Sequence, residues 1–247
     1  MSIFKYQKYR GQLEELSKRF AAVDAFNSSE PGQSVWSEWT NASTMEITQE
    51  CVVLFIGKTG YGKSSTVNAI AGKTILKSSD IAACTDACQS LDYQIRQNIF
   101  LSLCDLPGVG ESAKADKEYF KLYEDFLDKA AAIVYVVRAD ARDFSIDEKV
   151  AKQLLADKGI NNRVIYALGQ CDKMEPLDRK SNSIPSKAQT DNIRAKIDDV
   201  KRIFSPVNAI VPYSAATGWN LHALVDQIVH VSTGKRIHTN ILRRCSY

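Results

Sequence analysis

The stretch CVVLFIGKTGYGKSSTVNAIAG occupies residues 51–72. It opens with an unbroken apolar run, which is typical of a strand buried on both faces of a sheet. Gly57, Gly62, Lys63 and Ser64 follow in the spacing G-x-x-x-x-G-K-S, and a helical segment comes next. Strand, glycine-rich loop and helix in this order predict a phosphate-binding P-loop. A chance match in an ordinary turn is the alternative, and the strand and helix on either side disfavour it.

The residue types in this loop suit phosphate chemistry. Glycines let consecutive N–H groups converge on an anion at a helix N-terminus. Lys63 can reach the β- and γ-phosphates, and the Ser64 hydroxyl can bind Mg²⁺. We therefore expect the whole loop to contact nucleotide: Gly57, Lys58, Thr59, Gly60, Tyr61, Gly62, Lys63, Ser64 and Ser65.

A second motif, CDLPGVGES, begins about 40 residues after the loop. Asp105 ends an apolar run, at the sheet edge where ligands bind, and is expected to hold the metal through water. Gly108 can bring its N–H close to a γ-phosphate because no side chain intervenes. A plain turn is the alternative for this motif.

The polar segment SSDIAACTDACQS lies between the two motifs. A switch loop needs one hydroxyl that completes the Mg²⁺ shell, and Thr85 is our choice, against an ordinary loop threonine. The predicted catalytic set is Lys63, Thr85 and Gly108. The predicted metal set is Ser64, Thr85 and, through water, Asp105.

Further apolar runs alternate with amphipathic segments, at 98–105, 131–139, 163–169 and 208–215. This alternation predicts a three-layer α/β fold with a mostly parallel six-stranded sheet and helices on both faces. Residues 91–97 alternate polar and apolar, as an antiparallel edge strand does. Apolar spacing over 3–26 predicts an N-terminal amphipathic helix. The expected divisions are helix and linker (1–48), nucleotide domain (49–232) and basic tail (233–247).

Composition excludes several classes of protein. The chain has 247 residues, 45% of them hydrophobic, and a net charge of +3, which is too weak to indicate nucleic acid or membrane by charge alone. No run approaches the roughly 18 apolar residues of a membrane helix, and no signal peptide is evident. The six cysteines form no Cys-x-x-Cys pair. We expect a cytoplasmic protein with reduced thiols and no transmembrane segment.

Two later motifs complete the pattern, GQCD at 169–172 and SAATG at 214–218. With them, the chain resembles the translation-factor-related P-loop GTPases, in their Era/TrmE-like branch. The stretch from DLPGVGES to SIDEK, with DKMEP later, is similar to the bacterial YfjP/YkfA-type GTPases. The resemblance covers residues 50–232. It implies a G domain that binds GTP and GDP with Mg²⁺ and hydrolyses GTP.

The resemblance also implies how the base is read. Ser214, Ala215 and Ala216 would flank guanine, and Gln170, Asp172 and Lys173 would belong to the same pocket. The Asp172 carboxylate can accept from guanine N1–H and the 2-amino group, donors that adenine lacks.

Several positions depart from the family pattern. Val109 stands where related enzymes orient water, so turnover should be slow without a partner. Gly60 replaces the asparagine that recruits potassium in TrmE-type enzymes. In the base motif, Gly169 loses a side chain that would tie neighbouring loops together, whereas Gln170 keeps an amide that could brace the P-loop. These losses predict weaker affinity before altered base choice.

Alternatives stay open at this stage. A nucleotide-stabilised binding scaffold with negligible turnover, a pseudo-GTPase, competes with the GTP hydrolase, and adenine specificity is a third hypothesis. Arg138 and Arg142 suit either an arginine finger in cis or ion pairs with Asp140 and Asp143. An effector protein, RNA or a second copy of the chain are the candidate macromolecular partners.

Overall fold

One sheet runs through the part of the chain that the computed structural model describes, which is residues 6–10, 37–40, 46–76, 88–177 and 184–233. Its eight strands are β1 (Tyr6–Arg10), β2 (Ser37–Thr40), β3 (Ile47–Ile56), β4 (Cys88–Arg96), β5 (Ile99–Asp105), β6 (Ala132–Arg138), β7 (Val164–Gly169) and β8 (Val211–Pro212).

Helices occupy most of the connections in the described ranges. They are α1 (Lys63–Ala71), α2 (Ala113–Leu127), α3 (Ser145–Leu154), α4 (Lys158–Asn161), α5 (Lys187–Phe204) and α6 (Leu221–Thr233), and a 3₁₀ turn covers Cys171–Lys173. Helix α5 begins with a capping box between Ser186 and Gln189, the reciprocal arrangement that satisfies two N-terminal N–H groups.

Strand β3 lies at the centre of the sheet, whose order is β1-β4-β5-β3-β6-β7-β8, with β2 paired to β3. It pairs in parallel with β5 and with β6. Strands β6, β7 and β8 continue the parallel pairing, whereas β4 runs antiparallel to β5. The predicted fold, a mostly parallel six-stranded core with one antiparallel strand, is therefore confirmed in β3 to β8.

The two faces of β3 belong to separate apolar layers. Cys51, Val53 and Phe55 pack with side chains of α1 and α6. The alternate side chains, Val52, Leu54 and Ile56, pack with those of α2, α3 and α5. All six are buried, which explains why this strand reads as a continuous apolar run.

The N-terminal segment differs from its prediction. Residues 6–10 form a strand parallel to β4, so the amphipathic helix is wrong there; the rest of that predicted helix lies outside the described residues. Residues 37–40, predicted as linker, form a strand antiparallel to β3. Backbone pairing with the sheet overrides a helical spacing of apolar residues. The predicted edge position of the antiparallel strand β4 is wrong, because β1 pairs with it on one side and β5 on the other. The tail 234–247 is outside the described residues.

The loops that carry the sequence motifs meet at one edge of the sheet. The P-loop follows β3, the DLPG motif follows β5, the GQCD motif spans the end of β7, and the SAATG motif lies between β8 and α6. These strands run in the same direction, so their carboxyl ends lie side by side. This is the edge at which open α/β sheets bind ligands.

Gly57 fixes the P-loop against β6. Its φ is 138°, and a Cβ there would stand 2.5 Å from the Val136 carbonyl oxygen. We expect Gly57→Ala to lower the free energy of unfolding by about 3 kcal/mol or more, because backbone cannot move aside cheaply.

Gly72→Ala is the matched control, and urea unfolding measures both variants. Gly72 also has positive φ, 68°, yet a Cβ there would meet nothing within 4 Å. Its cost should be about 1 kcal/mol, from backbone strain alone. Equal losses for the two variants would show that β6 does not constrain the loop.

Candidate nucleotide-binding site

The P-loop reaches helix α1 through backbone that L side chains rarely adopt. Gly60 and Gly62 have φ of 78° and 89°, and Gly62 is the N-cap of α1. The N-terminus of α1 therefore lies at the loop, with its unpaired N–H groups and positive dipole end available to an anion.

Lys63 is buried at the centre of the loop, with 6% of its surface exposed. Its Nζ donates to the carbonyl oxygens of Gly57 and Lys58, each at 3.2 Å. Burial lowers the pKa of the ammonium group, while the carboxylates of Asp105, Glu111 and Asp147 oppose that effect. An added negative charge at the loop would stabilise the protonated lysine.

Asp105 stands beside Lys63 with its side chain fully buried. Burial raises the pKa of this carboxyl to about 6, against the opposing effects of Lys63 and Ser64. Ser64 Oγ donates to Asp105 Oδ2 at 2.5 Å. The other oxygen, Oδ1, is buried without a hydrogen-bond partner among the described residues.

A buried carboxylate oxygen with no partner is costly. Here it lies next to a serine hydroxyl at a phosphate loop, which is the donor set of hydrated Mg²⁺. The residues present therefore fit the predicted metal. Thr85, the third predicted ligand, lies outside the described residues.

The DLPG loop packs directly on the P-loop. Val109 forms a parallel bridge with Lys58, and Thr59 N donates to Val109 O at 2.9 Å. The Thr59 hydroxyl lies 2.9 Å from both Gly108 O and Glu111 Oε1. A Cβ on Gly108 would stand 2.6 Å from Lys63 Nζ. The structure thus brings Gly108 and Lys63 together, as predicted for the site. The contacts that Thr59 makes with Gly108 and Glu111 were not predicted from the sequence.

The Gln170 side chain reaches the phosphate loop. Its Nε2 donates to Gly60 O at 3.3 Å, and Gln170 itself has a φ of 59°. The predicted brace between the base motif and the P-loop is present, and the Gln170 amide makes it.

Asp172 and the SAATG loop face a pocket of about 140 Å³. Ser214 Oγ donates to Asp172 Oδ1 at 2.6 Å and holds the carboxylate. Asn220 Nδ2 donates to Pro212 O at 2.7 Å and ties the loop to β8. The pocket is lined by Tyr61, Gly62, Ser65, Thr66, Gln170, Asp172, Lys173, Tyr213, Ala215 and Ala216.

Tyr61 links the P-loop to a buried carboxylate of α3. Asp147, which is 0% exposed, accepts from Tyr61 OH at 3.3 Å and from Tyr135 OH at 2.8 Å. Burial raises the pKa of Asp147, opposed by these hydrogen bonds and by Lys58. Asp147 is not among the residues predicted from the sequence. The available signal was its place among the inward-facing positions of α3, with Val150 and Leu154.

Two other candidate side chains have contacts that bear on their predicted roles. Val109 is fully buried in the apolar layer with α2 and α3. Arg138 makes a two-point contact with Asp140, at 2.9 Å and 2.6 Å, so the ion-pair interpretation of Arg138 is confirmed. Arg142 is exposed.

Comparison with known proteins identifies relatives. The model of a family described as 50S ribosome-binding GTPase matches residues 52–169. Protein YfjP of Escherichia coli (strain K12) is 32% identical over 214 residues, which cover 86% of this chain and 73% of YfjP. The resemblance to YfjP-type GTPases is confirmed.

Solved structures agree on the fold. Era, in complex with MgGDPNP and part of 16S ribosomal RNA, superposes with a TM-score of 0.60 at 24% identity, over 74% of this chain and 57% of that one. Toc33 from Arabidopsis thaliana, in complex with Mg²⁺ and GMPPNP, gives 0.61 at 17% identity, over 90% and 92%.

Removing the Asp147 carboxylate should destabilise the protein. We expect Asp147→Ala to lower the free energy of unfolding by about 2–4 kcal/mol, because two buried tyrosine hydroxyls lose their acceptor. Tyr61→Phe removes only one donor and should cost about 1 kcal/mol. Urea unfolding measures both, and equal costs would contradict a shared acceptor.

The pH dependence of Asp147→Asn has a definite sign. Because the folded pKa of Asp147 is raised above 3.8, folding takes up a proton, and this contribution to stability is lost as pH rises through the raised pKa. The asparagine variant should therefore gain stability relative to the unaltered protein from about pH 4 upward. A constant difference from pH 4 to pH 8 would contradict this assignment.

Proposed function

We propose that this chain, which belongs to the YfjP-type P-loop GTPases, binds GTP and GDP with Mg²⁺ and hydrolyses GTP slowly as a molecular switch. The observation that carries the proposal is the convergence of Lys63, the Ser64–Asp105 pair and Gly108 at one sheet edge. Asp172 lines a pocket together with Tyr61, Gly62 and Ser65 of the same P-loop.

The phosphate end of the site suits a metal-bound nucleotide. Ser64 would coordinate Mg²⁺, and Asp105 would hold a water of its shell through Oδ1, with Thr85 proposed as the third contributor. When bound, Mg²⁺ supplies charge neutralisation on the phosphates. Lys63 binds the same phosphates by donating from Nζ, and the N–H groups at the start of α1 orient them.

The base end of the site suits guanine. Ser214 holds one carboxylate oxygen of Asp172, which restricts the carboxylate to one orientation. Two acceptors in this orientation match the N1–H and 2-amino donors of guanine, and an adenine ring would leave them unpaired. Ala215 and Ala216 contribute small side chains beside a flat ring.

Slow turnover is supported by what two side chains do. Val109 is buried among apolar groups, so it offers no polar atom to orient an attacking water. The Arg138 guanidinium is paired with Asp140. Stabilisation of the transition state would come chiefly from Lys63, Mg²⁺ and backbone donors.

The switch proposal rests on the contact between the two loops. Thr59 holds Gly108 and Glu111 against the P-loop, and Gly108 packs on the Lys63 ammonium group. A γ-phosphate bound to Lys63 would compete with this contact, because both need the space beside Nζ. GTP and GDP would then favour different positions of the DLPG loop.

The alternative is a nucleotide-stabilised scaffold with negligible turnover. The burial of Val109 is the observation that favours it. Partners remain hypotheses: an effector protein, RNA or a second copy of the chain. Among the neighbours, the Era structure contains ribosomal RNA, which makes RNA the first of these to test. No helix in the described ranges has the length and apolarity needed to span a membrane. We also propose a cytoplasmic location, which suits the free cysteines of the described residues.

Phosphate release separates the hydrolase from the scaffold. We expect slow Mg²⁺-dependent release of phosphate from saturating GTP. Lys63→Ala should reduce the rate about 100-fold or more, because the positive charge that stabilises the transferred phosphoryl group is lost. The exposed Lys73→Ala is the control and should match the unaltered protein. Equal release by the unaltered protein and Lys63→Ala would support the scaffold.

Base choice is tested at Asp172. Asp172→Asn should weaken GDP binding by at least about tenfold and improve xanthosine diphosphate binding, because the amide donates to the xanthine 2-oxo group. Competition against a fluorescent GDP analogue measures both. If ATP displaces that analogue from the unaltered protein as well as GTP does, Asp172 does not select guanine.

A further inference from the structure

Gly169 and Tyr213 share one space. A Cβ on Gly169 would stand 2.9 Å from the Tyr213 hydroxyl oxygen and 3.1 Å from the ring carbon that carries it. Tyr213 is 1% exposed, and its hydroxyl is held by a hydrogen bond with Thr66. The Tyr213 side chain therefore occupies the space that a side chain at position 169 would need.

The Tyr213 hydroxyl is connected to the phosphate loop through Thr66. It lies 2.6 Å from Thr66 Oγ1, and the Thr66 hydroxyl donates to Gly62 O at 2.7 Å. Since the Thr66 hydroxyl donates its proton to Gly62 O, Tyr213 is the donor in the hydrogen bond between Tyr213 and Thr66. Burial raises the pKa of Tyr213 well above its usual range, which keeps that proton in place.

The backbone of Tyr213 is fixed to the base motif. Its N–H donates to Leu168 O at 2.9 Å, and its carbonyl accepts from Cys171 N at 3.2 Å. The next residue, Ser214, donates to Asp172. Tyr213 thus contacts the base motif through its backbone, and its hydroxyl contacts Thr66, which in turn contacts the P-loop at Gly62.

We propose that Tyr213 is a positioning residue for guanine-nucleotide binding, whose hydroxyl couples the Asp172 corner to the phosphate loop through Thr66. It makes from the end of β8 the connection between loops that a side chain at 169 cannot make. Gln170 adds a second connection, to Gly60. The inference rests on the proposed function, since it assigns a role in that same site.

A nucleotide gains affinity when its base and phosphates meet groups already held at the right separation. The Tyr213–Thr66 contact fixes the Asp172 corner relative to Gly62, where helix α1 begins. Without the hydroxyl, each half of the site is intact but their separation is less restricted. Affinity for GDP should fall, whereas preference for guanine over adenine, which depends on Asp172, should not.

The test measures GDP dissociation constants of the full chain by calorimetry. We expect Tyr213→Phe to weaken GDP binding about tenfold, as loss of one buried hydrogen bond allows. Thr66→Val should act similarly, and the double variant should be no weaker than the single ones, because both break one connection. The ratio of GDP to ADP affinity should stay within about twofold of the unaltered value.

Tyr166→Phe is the matched control. Tyr166 is a buried tyrosine in the opposite apolar layer, and this change should leave GDP affinity unaltered. Gly169→Ala supplies a second route, because its methyl group would displace the Tyr213 hydroxyl. It should weaken GDP binding in the unaltered background and cost less in the Tyr213→Phe background, where the 2.9 Å contact is gone.

The outcomes are separable. If the unaltered chain binds no guanine nucleotide, the proposed function fails and the inference fails with it. If the unaltered chain binds GDP and Tyr213→Phe binds within about twofold, only the inference is overturned, and Tyr213 is a core residue. If Tyr213→Phe does not fold, Gly169→Ala decides: equal GDP affinity to the unaltered chain overturns the inference.

Discussion

Burial of β3 on both faces is the constraint on which the site depends. Its alternating side chains serve two apolar layers, so a shift of one residue would exchange every contact on both faces. With register fixed in this way, the strand can end in only one place. Gly57 then lies close to the backbone of β6, and the phosphate loop begins at a fixed position at the edge of the sheet.

Charge is the second theme of the site. Lys63, Asp105 and Asp147 are all buried. Burial lowers the pKa of the lysine and raises the pKa of both aspartates, so it favours the neutral form of each. A site of this kind is electrostatically unsatisfied as long as it contains only its own groups. Magnesium and phosphate would bring charges of both signs to these residues, so ligand binding and protein stability should be linked.

Most of the fold was predictable because its signals are local. A stretch of about ten residues is enough to recognise each of the apolar runs of β3, β6 and β7 and the glycine-rich loop. The error at residues 6–10 arose because a short amphipathic segment is compatible with either structure until a neighbouring strand is known. Pairing with β4 decided the outcome, and no property of residues 6–10 alone reports it.

The site divides in the same way. Lys63, Ser64, Asp105 and Asp172 could be predicted as site residues because their chemistry requires a fixed spacing from glycines or strand ends. Tyr213 and Asp147 were missed because their roles depend on contacts across the sheet: one with a residue 147 positions earlier and one with a residue 86 positions earlier. Gly169 was recognised as a loss, but only three-dimensional packing shows which ring takes its place.

The pairing of β1 with β4 has a mechanical consequence. Its register sets Tyr6 opposite Cys88, the first described residue after the segment that contains Thr85. Five backbone pairs join the two strands, and β4 is itself paired with the strand that ends at Asp105. Tension applied near residue 6 would therefore be carried by backbone hydrogen bonds to β4 and from there to β5. The N-terminal strand is in this way mechanically connected to the strand that ends at the proposed metal ligand Asp105.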